Sequence, residues 1–144
     1  MRAKHLLEFM RQARRILREH GSEVIYGTLR AIQADTTSYL AWAQQDYVCV
    51  IFNLRTEHSD VGIARTAATF RALTDASASL QGSYFLTYHR FASATQLERS
   101  HPKIRGFFAL KLQYDPLERF QSDWYLHYRS AFTSPDTLIP LANA

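Results

Sequence analysis

Apolar residues recur along the chain with two spacings, one typical of helices and the other of strands. Near the N-terminus Leu6, Phe9 and Ala13 lie three or four residues apart with charged residues between them, which predicts an amphipathic helix. From Tyr47 to Arg55 every second residue is apolar, which predicts a strand. The predicted elements are helix 3–20 ended by Gly21, strands 23–33 and 47–55, a helix from Ser59 or Asp60 to Gly82, strand 83–89, and helix 102–114 stopped by Asp115-Pro116.

This order, α-β-β-α-β-α, predicts an α+β fold with an antiparallel sheet and helices on one face. It is the ferredoxin-like split βαβ plan without its first strand, which would lie inside the sheet. Neighbouring strands would then lack a ladder partner, so either the chain begins inside a domain or another element fills the place. We expect one domain over residues 1–132, with the aromatic segment Phe120–Tyr128 packed onto it, and a frayed tail over 133–144.

Composition and charge exclude several classes of protein. The 144 residues are 47% apolar, enough for one domain with a core. Residues 1–20 carry six basic and two acidic side chains and account for the net charge of +4. We interpret them as a solvated helix face and expect no nucleic-acid partner, a basic nucleic-acid module being the weaker alternative. No apolar run is long enough to span a membrane, and the single cysteine, Cys49, is typical of a cytoplasmic protein.

Common catalytic motifs are absent: the sequence has no glycine-rich phosphate loop, GxSxG, HExxH or CxxC, and its histidines lack ligand spacing, so we expect no metal site. Two polar rows do stand out, one in each of two predicted strands. If the strands are close, the rows could line a pocket with a fixed cation, hydroxyl groups and an imidazole. Periodicity alone favours the solvated face of an antiparallel sheet instead. The rows are Tyr26, Thr28 and Arg30, and Tyr84, Thr87, Tyr88 and His89.

Three segments share a family pattern: EVIYGTLRAIQADTTSYLAWAQQDYVCVIFNLRTEH, GSYFLTYHRFAS and HPKIRGFFALKLQYDPLERFQSDWYLHYR. The most specific part runs from His101-Pro102 through Phe107 and Lys111 to Tyr114-Asp115-Pro116 and Arg119-Phe120. Over roughly residues 15–132 the chain resembles the C-terminal cap region of FAD-linked oxidases of the vanillyl-alcohol-oxidase superfamily. The branch it resembles most is that of the sugar, alditol and aldonolactone oxidases.

The resemblance implies a cap that covers a flavin, beside which a substrate alcohol gives its hydroxyl proton to a base and a hydride to the flavin. It implies catalytic roles for Arg30, Tyr88 and His89, and substrate-binding roles for Tyr26, Thr28, Tyr84 and Thr87. The family has an acidic residue where Thr28 stands here, and its lysine in the segment Tyr84–His89 has no counterpart.

The glycine-rich pyrophosphate loop of an FAD-binding domain is absent from these residues. The resemblance therefore implies that FAD and its binding domain or subunit are supplied elsewhere, that the substrate is a small polar alcohol, and that the chain alone is inactive. The alternative, from a different class, is a stand-alone α+β ligand-binding or dimerisation module without catalysis. Because an open strand edge is a template for pairing, a homo-oligomer is also expected.

Overall fold

The computed structural model describes residues 1–133 and contains five α-helices and a two-stranded antiparallel sheet. This confirms the predicted α+β class, and the first helix and first two strands occupy the predicted segments. A 3₁₀ turn at Ala3–His5 precedes the first helix. The elements are α1 (Leu6–Glu19), β1 (Val24–Ile32), β2 (Tyr47–Leu54), α2 (Asp60–Ser79), α3 (Ala94–Ser100), α4 (Ile104–Tyr114) and α5 (Asp123–Phe132).

The ends of α1 and α2 follow from local chemistry. Gly21 ends α1 with a φ of 59°, the left-handed conformation predicted for it. At the start of α2, the Ser59 hydroxyl accepts a backbone N–H of the first turn at 3.1 Å. The end of α2 differs from the prediction, because Gln81 takes the left-handed φ of 57°. Gly82 is required there for another reason: a Cβ at this position would collide with Ser77.

The first core lies between α1, α2 and one face of β2. Alternate residues of β2 point toward the helices, as the period of two predicts. Helices α1 and α2 therefore pack on the same face of the sheet, as expected. The buried members of this core are Met1, Phe9, Ala13, Ile16, Leu73 and Ala76, with the half-buried Val50 and Phe52 packed against them.

The second core is aromatic and lies among α3, α4 and α5. Phe108 is fully buried, and its ring stacks with those of Trp124, Tyr125 and Phe132 at centroid distances of 5.9, 5.5 and 5.3 Å. The prediction that the aromatic segment Phe120–Tyr128 packs down is therefore confirmed for Trp124, Tyr125 and Tyr128, most of the segment forms α5, and Phe120 is 80% exposed. The predicted tail at 133–144 lies, apart from Thr133, outside the described residues.

The two cores are joined through α2 and α3. Gln96 and Ser93 form a capping box at the start of α3, and the Gln96 amide also donates to the carbonyl oxygen of Arg71 in α2 at 2.9 Å. Arg99 forms an ion pair with Asp75 at 2.6 Å on the surface of the same junction. These contacts fix α3, and with it the second core, against α2.

The predicted third strand at 83–89 is wrong, because these residues form a loop with a turn. Side chains take up its backbone acceptors: the carbonyl oxygen of Ser83 accepts from Ser77, and that of Tyr84 lies 3.2 Å from His101 Nε2. The outer edge of β2 meets Met1 instead, whose carbonyl oxygen accepts the Val48 N–H at 2.9 Å. Within residues 1–133 the sheet therefore lacks the third strand of the split βαβ plan.

Candidate functional site

The outer edge of β1 has no partner in the described part of the chain. Val48 of β2 directs its N–H to Met1, away from β1. Because backbone groups alternate in direction along antiparallel strands, the residue opposite, Ala31, must also direct its N–H and C=O away from its neighbour strand. Leu29 and Gly27 follow at every second position. Their backbone groups form a free edge for a further strand.

Large apolar side chains stay exposed along this edge. Four of them are 41 to 59% exposed. They are Val24, Ile25, Tyr26 and Leu29. An exposed, apolar edge strand is a template for pairing with another chain. We call the outward backbone groups and these side chains of Val24–Ile32 the β1 edge.

The predicted row Tyr26, Thr28 and Arg30 does share one face of β1. This face is turned away from α1 and α2, and all three residues are exposed on it. Opposite Arg30 lies Cys49, whose pKa is raised by burial against the smaller opposing effect of nearby positive charge, Arg30 included. The thiol therefore stays protonated at neutral pH and is a poor nucleophile.

The second predicted row, from Tyr84 to His89, does not join the first. Tyr84 turns into the second core, where its ring lies edge-on to His101 at 5.4 Å and burial raises the pKa of its hydroxyl group. Thr87 lies in an exposed turn, and Tyr88 is 71% exposed. Among residues 1–133, no hydrogen bond or ring contact of this segment reaches β1.

His89 packs against α2. Its ring lies 4.2 Å from that of Phe70 and 4.7 Å from that of Phe91, and burial lowers its pKa, so that the imidazole is neutral at pH 7. Of the three residues with implied catalytic roles, only Arg30 lies on the exposed sheet face. The described residues therefore do not bring Arg30, Tyr88 and His89 together in one site, and no reaction step follows from them.

The same part of the chain contains neither a cluster of metal ligands nor a membrane-spanning helix. No three His, Cys, Asp or Glu residues between positions 1 and 133 come together as metal ligands. No helix over those positions is long and apolar enough to cross a membrane.

Fold and site together define a class, a small α+β domain with an open edge strand. Comparison with protein-family models, with curated proteins and with solved structures finds no match to this chain.

The β1 edge was not predicted from the sequence, because only its polar row stood out. A signal was present: three consecutive apolar residues at 24–26 cannot all face one core in a strand.

Proposed function

We propose that this chain is a non-catalytic α+β binding module that pairs a further strand onto the β1 edge. The observation that supports this is a strand of nine residues whose outward backbone groups, at Gly27, Leu29 and Ala31, lie beside exposed apolar side chains. Each hydrogen bond to an added strand contributes about 0.5–1.5 kcal/mol net. Covering the neighbouring apolar surface contributes about 25 cal/mol per Å².

An added strand would read the edge in two ways. Its backbone would bond to the outward N–H and C=O groups, which gives affinity without regard to sequence. Its side chains would alternate between the sheet faces, so that one set meets Leu29 and the other meets Tyr26 and Arg30. The second set gives the module its choice of partner.

The simplest strand available is the β1 edge of a second copy. We expect the protein to associate reversibly at high concentration, more so in salt that screens the basic α1, and Leu29→Pro to abolish this association. The Leu29 N–H points away from β2, so proline removes an outward donor without removing a ladder bond. Sedimentation velocity over a concentration series measures the change.

Leu29→Ala is the matched control, because it also shortens the side chain but keeps the N–H. It should retain most of the association, and thermal melting followed by circular dichroism should show both variants folded. Equal association of Leu29→Pro and wild type, or a wild-type monomer at every concentration, would contradict strand pairing between two copies.

A second candidate is the substrate-covering part of an FAD-dependent oxidoreductase that acts on CH–OH groups of a sugar, alditol or aldonolactone. The exposed row of Tyr26, Thr28 and Arg30 supports it, because a flavin-binding partner could cover that face. The test is to co-express the chain with its genomic neighbours and to record the absorbance of the purified complex. Flavin absorbance in a complex with this chain supports the second candidate, and colourless complexes argue against it.

The chain purified alone is expected to be colourless and without oxidase activity on sugars, alditols or lactones. The reason is that its sequence contains no glycine-rich pyrophosphate loop. Absorbance spectra and an oxygen-uptake assay measure this. Stoichiometric FAD retained through purification would overturn the expectation.

A further inference from the structure

An apolar groove runs between α1 and the start of the sheet. Its cavity volume is about 620 Å³, the size of a site for several side chains. The apolar residues that line it come from α1, β1 and β2, and Val24 belongs to the β1 edge. They are Leu7, Met10, Ala13, Leu17, Val24 and Phe52. We call this cavity the α1 groove.

The rim of the α1 groove is positively charged. Arg11, Arg14 and Arg18 line it, and no acidic residue does. Arg11 has an ion pair with Glu8 at 3.6 Å, whereas Arg14 and Arg18 have no ion-pair partner within residues 1–133. Two of the three cations that flank the apolar groove, Arg14 and Arg18, are thus not compensated by an ion pair within the described chain.

The groove and the β1 edge lie on the same side of the sheet. Phe52 and Val50 face the helices, and Leu29, which is opposite Val50, shares that face. A strand added to β1 would run about 4.8 Å from it and point every second side chain toward α1. Those side chains would lie next to the α1 groove.

We infer that the β1 edge and the α1 groove together bind an extended, acidic and amphipathic segment of a partner protein, an inference that rests on the proposed strand-pairing function. Its apolar side chains fill the groove, and its carboxylates lie against Arg14 and Arg18. A second copy is the poorer occupant, because β1 contains an arginine and no acidic residue, and a second α1 adds the same positive charge. A lipid surface leaves the backbone groups of the edge unpaired.

The probe is a fluorescein-labelled synthetic peptide of alternating leucine and glutamate, compared with one of leucine and lysine, by fluorescence anisotropy. We expect the acidic peptide to bind and the basic one not to bind. Arg14→Glu should weaken acidic-peptide binding roughly tenfold, because it replaces attraction by repulsion. Arg15→Glu is the matched control: the residue is adjacent, exposed and outside the groove, and it should change binding little.

Leu29→Pro separates the inference from the function on which it rests. Loss of acidic-peptide binding in both Leu29→Pro and Arg14→Glu supports the inference. Equal binding of the two peptides, or equal loss in Arg14→Glu and Arg15→Glu, overturns the acidic partner while leaving strand pairing in place. Acidic-peptide binding that survives Leu29→Pro overturns strand pairing itself. Binding to vesicles of phosphatidylserine and phosphatidylcholine without peptide binding assigns the arginines to lipid and overturns the inference.

Discussion

Phe108→Ala is expected to lower the free energy of unfolding by about 3–5 kcal/mol, the usual cost of removing a buried ring. Phe108 is 0% exposed, and three aromatic rings stack on it, those of Trp124, Tyr125 and Phe132. Because these aromatic rings are rigid, they can collapse only partly into the cavity that the substitution leaves. Urea denaturation measures the loss, followed by tryptophan fluorescence, to which Trp124 of this core contributes.

Phe120→Ala is the matched control, because it removes the same ring from a position that is 80% exposed. It should change the free energy of unfolding by no more than about 0.5 kcal/mol. Since small domains are stable by about 5–15 kcal/mol, the loss at Phe108 would consume much of the total. Equal effects of the two substitutions would mean that the second core does not stabilise the protein.

The elements that the sequence predicted correctly are those decided by local chemistry. The apolar stripe of α1, the period of two in β2 and the serine at the start of α2 each need only neighbouring residues to take effect. Helix α5 could have been predicted too. Ser122 caps it, and Tyr125, Tyr128 and Phe132 recur at helical spacing.

The third strand could not be rejected from the sequence, because the competing contacts are distant along the chain. Tyr84 and Leu86 do alternate with exposed residues, as in a strand, but they pack on the second core. The carbonyl oxygen of Tyr84 meets the ring of His101 rather than a neighbouring strand. Strands depend on such long-range pairing more than helices do, so their prediction is less secure.

In the candidate site, too, the features set by local spacing could be predicted, and those set by contacts distant along the chain could not. That Tyr26, Thr28 and Arg30 share a face follows from strand periodicity. That His89 lies beside Phe70 of α2, and not beside this row, depends on how α2 and the following loop pack. The sequence contains no local signal for that arrangement.

The segment that carries the most specific part of the family resemblance has a structural role of its own. The Asp115 carboxylate ends α4 by accepting the N–H groups of Arg119 and Phe120, each at 2.9 Å. It also contacts Lys111, and this hydrogen bond, with those from the backbone, holds the Asp115 pKa at about 2. Closing this turn explains the aspartate without a catalytic function, whereas Arg119 and Phe120 contribute backbone N–H groups to it.

Acidification from pH 7 to pH 4.5 is expected to remove about 2 kcal/mol of stability through His101 alone. The side chain is 2% exposed, and burial lowers its pKa from 6.5 to about 4. His101 of the unfolded chain therefore gains a proton as the pH falls through 6.5, while His101 of the folded protein stays neutral until about pH 4. The free energy of unfolding falls across that interval, and urea denaturation at a series of pH values measures it.

His101→Gln isolates this contribution, because glutamine does not titrate and its amide can still donate to the carbonyl oxygen of Tyr84. The wild type should lose about 2 kcal/mol more than this variant over the interval, whereas His58→Gln, at an exposed position, should keep the wild-type profile. The carboxyl groups of Asp35 and Asp115 have pKa values of about 2 in the folded protein. They are protonated there only well below pH 4.5 and so do not affect the comparison of the wild type with His101→Gln. Parallel profiles for the wild type and His101→Gln would mean that His101 is not held neutral in the folded protein.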